Sequence, residues 1–91
     1  MLDSGSIQKI RCEIDKIDTL ILDLLNKRAE KSFHIRELKT SSSVGLFDPK
    51  RESEVLNLLI DKNNGPLETQ QIEEIYKTIF KVMKEGPLNE R

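Results

Sequence analysis

Five charged residues could do chemistry in this chain: Arg11, Arg28, Lys39, Arg51 and Glu52. Arg28 is the most telling. Ile7, Ile10, Ile14, Ile17, Ile21 and Leu24 recur at alternating steps of three and four, the spacing of one buried helical seam. The next seam positions are Arg28 and Lys31, before Ile35 and Leu38 resume the pattern. An arginine there either snorkels, its stem packed and its head in water, or faces a ligand. Both readings stand on that residue alone. Lys39 follows eleven residues later. That is close to three turns, which puts the two cations on one face about 16 Å apart along the axis. The gap suits opposite ends of a small dianion better than one ion pair. Arg11 lies about 25 Å before Arg28 on the same helix. It reaches such a ligand only from a second, antiparallel copy, and is otherwise a solvated first-turn residue.

The other two charges open a second helix. In "FDPKRESEV", residues 47–55, Asp48 reads as an N-cap and Pro49 as the first helical residue. Glu52 then shares a face with Val55, Leu56 and Leu59, at the rim of an apolar stripe. It is there either as a capping or ion-pair partner or as one wall of a polar pocket with Arg28 and Lys39. His34 has no metal-ligand spacing around it, Cys12 has no general base beside it, and no Gly-rich phosphate loop occurs. No metal site is expected. Tyr76 and Phe80, four apart, read as core.

These residues need long helices to position them. The pattern predicts an all-α chain of three helices. The first runs from about Ser6 to Lys39 or Thr40, because no Gly or Pro falls between Ser6 and Gly45. "TSSSVG", residues 40–45, is a loop by composition. The second helix should end near Lys62, where "NNGP" breaks it, and the third should run from about Thr69 to Lys84. Its inner face is expected to hold Ile72, Ile75, Tyr76, Ile79, Phe80 and Met83. Gly86-Pro87 ends it, and residues 1–6 and 86–91 read as flexible ends of one domain spanning 1–91.

With 91 residues, 36% hydrophobic and 34% charged, the core of one chain would be thin. The long first helix therefore predicts a dimer or higher oligomer. The net charge of −1 gives no basic field for nucleic acid and no basic amphipathic helix for a membrane surface. One cysteine excludes an internal disulfide, and no apolar run reaches spanning or signal-peptide length. A cytoplasmic protein is expected.

"IRCEIDKIDTLILDLLNKR", then Lys39, then "FDPKRESEVL" resembles the all-helical chorismate mutase family, over roughly residues 7–83. "NNGP" and "IYKTIFK" look most like the mutase domains fused to 3-deoxy-heptulosonate-7-phosphate synthases. The resemblance implies an intertwined homodimer of three-helix chains, and conversion of chorismate to prephenate without a cofactor. Arg28, and Arg11 from the other subunit, match the family's carboxylate-binding arginines. Lys39 matches the donor to the ether oxygen of the breaking bond. Asp48 and Glu52 match residues holding the ring hydroxyl, and Arg51 a pocket arginine that orients them. The chain departs from the pattern where the family places a Ser and a Gln, since Met83 and Pro87 stand there. Other readings on the same scaffold are an isochorismate pyruvate lyase and a regulatory domain that binds chorismate or prephenate beside a synthase. A plain dimerisation module would leave Arg28 on the seam unexplained.

Overall fold

The computed structural model describes residues 4–39 and 48–85. They form three helices, α1 (Ser4–Lys39), α2 (Pro49–Lys62) and α3 (Thr69–Glu85), with no strand among the described residues. The all-α expectation holds. Helix α1 begins two residues earlier than expected, so Ser4 to Ser6 are helical. The expected loop at 40–45, the first three residues and the 86–91 end lie outside the described residues.

The chain divides into two compact units, Met1–Lys31 and Ser32–Arg91. In the first, residues 5 to 24 of α1 are all exposed. The seam isoleucines are among them: Ile10 is 53% exposed, Ile14 47%, Ile17 53% and Ile21 48%. The apolar periodicity of α1 is thus left about half in water within a single chain.

The second unit contains the end of α1 and the α2–α3 pair. Asp48 caps α2 as its sequence suggested: its Oδ1 accepts the Arg51 backbone N–H at 3.1 Å, and its carbonyl accepts that of Glu52 at 3.0 Å. The side-chain bond satisfies one orphan donor of the first turn, Pro49 has no N–H to leave unpaired, and the carbonyl bond is the first regular bond of the helix. The turn after α2 is set by Asn63. Its Oδ1 accepts the Gly65 N–H at 3.0 Å and its Nδ2 donates to the Leu67 carbonyl at 2.8 Å. Gly65 takes φ 77°, the left-handed region that a side chain disfavours. Helix α3 then starts with a reach-back cap, the Glu68 N–H donating to Gln71 Oε1 at 2.9 Å.

Among the described residues only Ile72 and Phe80 are buried, which is the thin core that composition implied. Tyr76 meets Phe80 edge-on with ring centroids 5.7 Å apart. Ile75, expected on the inner face, is instead 47% exposed. On the α1 segment of this unit, Ser32, Phe33, Arg36 and Lys39 are half-buried, while the seam residues Ile35 and Leu38 are exposed. The covered face is thus offset from the apolar seam, and it carries two cations.

Candidate active site

Two helix ends build the polar part of the second unit. At the start of α2, the Asp48 cap fixes the first turn and so the direction of Glu52. Glu52 is half-buried, and its Oε2 lies 3.2 Å from Lys84 Nζ on α3, with the two side chains 26% and 34% exposed. The ion-pair reading of Glu52 is therefore met, by a partner from another helix. The pairs Lys27–Asp23, Arg51–Glu54 and Lys81–Glu85 differ in kind: each joins residues of one helix and is more exposed. Exposed pairs of that kind contribute about 0–1 kcal/mol.

At the end of α3, Arg36 closes the last turn. Its Nη2 donates to the Met83 carbonyl at 3.3 Å and to the Lys84 carbonyl. Those carbonyls have no partner within their own helix, and a cation there also opposes the negative end of the helix dipole. The Arg36 Nε is buried without an acceptor. The second unit thus draws polar contacts from three helices: Arg36 from α1, Glu52 from α2 and Lys84 from α3.

The expected site residues fall as follows. Lys39 is half-buried as the last residue of α1, and Met83 is half-buried on α3. Asp48 acts as the cap of α2. Arg51 is exposed and pairs with Glu54 at 3.5 Å. In the first unit Arg28 is half-buried and Arg11 exposed. Pro87 lies outside the described residues. Sequence reasoning missed Lys84 and Arg36. A signal existed for Lys84, which follows the buried Phe80 by one turn and so shares its covered face. None existed for Arg36, because a helix end needing a donor does not say which other helix supplies it. Among the described residues no group of His, Cys, Asp or Glu could hold a metal ion, and no helix is long and apolar enough to cross a membrane.

Residues 10–86 match the family described as chorismate mutase type II. The chain belongs to that family. Two structures of chorismate mutase from Thermus thermophilus superpose on it. Form I has a TM-score of 0.82 at 37% identity, covering 86% of this chain and 98% of that one. Form II has a TM-score of 0.85 at 36% identity, covering 88% and 91%. Similar curated proteins are bifunctional chorismate mutase/prephenate dehydratases. The one from Neisseria gonorrhoeae is 39% identical over 70 residues, covering 77% of this chain and 19% of its own length. The one from Stutzerimonas stutzeri is 29% identical over 85 residues, covering 88% and 23%. The chain therefore spans about a quarter or less of the curated relatives it matches. These relatives join a mutase to a prephenate dehydratase, in place of the synthase fusion that "NNGP" and "IYKTIFK" suggested.

Proposed function

We propose that this chain is a chorismate mutase domain that rearranges chorismate to prephenate, within the route to phenylalanine and tyrosine. The observation that carries this is the correspondence of nearly all, 98%, of the Form I chorismate mutase chain from Thermus thermophilus to this one. The reaction is pericyclic: the ether C–O bond breaks as a C–C bond forms, with no proton or electron exchanged with the protein. What remains for the protein is to hold the compact reactive conformer and to stabilise negative charge on the ether oxygen. Arg28 and, from a second copy of the chain, Arg11 bind the carboxylates. Lys39 donates to the ether oxygen. Asp48 and Glu52 hold the ring hydroxyl, and Arg51 orients them. Met83 and Pro87 take the places of a Ser and a Gln, so Lys39 serves the ether oxygen without the usual glutamine.

The same reading makes the whole of 1–91 one domain and the functional unit a homodimer. The exposed seam of α1 supports the second copy. A tie to a 3-deoxy-heptulosonate-7-phosphate synthase rests on the sequence resemblance alone, and the prephenate dehydratase fusions among the relatives favour the next step of the route as the associated activity. The test is the ultraviolet loss of chorismate on adding purified protein, with prephenate identified as product. Release of pyruvate from isochorismate, or binding of chorismate without turnover, would replace this reading with the lyase or the regulatory one.

A further inference from the structure

The Lys84–Glu52 contact links α3 to α2 at the carboxylate that the proposed function assigns to the ring hydroxyl. Three features separate it from an incidental surface pair. Both side chains are about two-thirds covered or more. The turn of α3 that bears Lys84 is held from α1 by Arg36, through the Met83 and Lys84 carbonyls. And Lys84 stands directly after Met83, a side chain that cannot donate a hydrogen bond.

We propose that Lys84 is a positioning residue for the chorismate rearrangement: its ammonium fixes the Glu52 carboxylate through Oε2, and Arg36 fixes the turn that carries the ammonium. The proposal rests on the reading of this chain as a mutase in which Glu52 accepts from the substrate hydroxyl. A glutamate at a helix start has three rotatable torsions, and a carboxylate free to swing would have to be ordered each time substrate binds. With Oε2 taken by the lysine, Oε1 is the oxygen presented to the hydroxyl. An ion pair at 3.2 Å between part-covered groups is less screened than one at the open surface, and so favours one orientation of the carboxylate.

The hydroxyl is not at the breaking bond. Its contact is made alike in ground state and transition state, so losing the alignment raises KM more than it lowers kcat. Lys39 sets the contrast, because its contact strengthens as charge develops, and its loss falls on kcat.

The experiment compares Lys84→Met, Lys84→Arg, Glu52→Gln and the Lys84→Met/Glu52→Gln double variant in steady-state chorismate kinetics, with helical content measured for each. Lys84→Met is expected to raise KM by about tenfold and to leave kcat within about threefold. Lys84→Arg should recover most of the loss. In the Glu52→Gln background, Lys84→Met should add less than about twofold, because its target is already gone. Wild-type kinetics in Lys84→Met, or losses that multiply in the double variant, would overturn the proposal. So would a lowered melting temperature with unchanged KM, the result expected of a bridge that serves stability alone. Should Lys84→Met fail to fold, Lys84→Gln takes its place in the same comparison with the same criteria. A wild-type protein that leaves chorismate untouched would overturn the mutase reading itself and the Lys84 proposal with it, whereas an active wild type with an indifferent Lys84 would overturn only the second.

Discussion

Replacing Ile14 and Ile17 together by Gln should separate the proposed dimer. Both lie on the α1 seam and are 47% and 53% exposed in one chain. Fully burying an isoleucine is worth roughly 1.5–3 kcal/mol, so the half still exposed is worth about 1 kcal/mol per side chain when a partner covers it. A symmetric dimer contains each position twice, giving four side chains and about 4 kcal/mol. That is roughly a thousandfold in the dissociation constant. The amides that Gln places in the interface make this a lower figure, since each costs more if it finds no partner there. Gln is a good helix former, so helix propensity is not what the substitution removes. Light scattering and sedimentation equilibrium at micromolar concentration read the assembly, and chorismate turnover is followed on the same samples. Because Arg11 is assigned to the neighbour's site, specific activity should fall with dissociation and become dependent on protein concentration. Lys16→Gln, off the seam, is the control and should change neither. A wild-type protein that is a folded monomer at micromolar concentration would refute the reasoning, as would a double variant that dimerises as tightly as wild type.

Arg28→Ala and Lys39→Ala should each lower turnover by about 10²–10³, the usual loss for one preorganised donor, with helical content retained. Near-normal turnover in either would remove that residue from the site. Asp48→Ala deletes the α2 cap and should cost about 1 kcal/mol, a drop of about 4–8 °C in melting temperature for a chain this short; an unchanged melting temperature would show that the Asp48 cap contributes nothing to stability. Joint replacement Gly86→Ala and Pro87→Gln should raise kcat several-fold with little change in KM, by restoring a donor to the ether oxygen beside Lys39. No gain in a variant whose third helix is shown to be longer would mean that the oxygen is already fully served.

The elements were legible because their punctuation is local. Asp48-Pro49, "NNGP" and the long run without Gly or Pro each act within a turn or two of themselves, and α2 ends at Lys62 and α3 one residue past Lys84, where those signals put them. The proposed site rests on residues that sit on one helix or match a family motif. Periodicity gives the phase of a residue around its own axis. It does not give the neighbour that the phase points to. Glu52 sits at the rim of its stripe, half-buried as the spacing indicates, yet its partner Lys84 belongs to another helix, where the sequence marks it only as the expected end of the third helix. The same limit explains Ile35 and Leu38. They continue the seam of α1 in sequence, but the face that meets α3 runs through Arg36, so the seam stays exposed.

That offset bears on how so little core would hold the proposed site. With Ile72 and Phe80 the only buried side chains among the described residues, one chain has few apolar contacts to fix a cation's position. A pericyclic reaction asks for little else than fixed charges, so looseness here costs rate directly. The second unit answers with polar ties, Arg36 to the end of α3 and Lys84 to Glu52, which fix side chains without enlarging the core. Arg11 is exposed among residues 5 to 24 of α1, and burial of the seam beside it is what would hold it best. On the proposed reading, covering that seam with a second copy would do two things at once: complete the core, and fix the arginine assigned to the other copy's site. On this argument stability and activity share one cause on α1. A seam substitution that loosens assembly should lower both in the same proportion, and a variant that restores the dimer by a different contact, such as a covalent link between two copies, should recover the activity together with the fold.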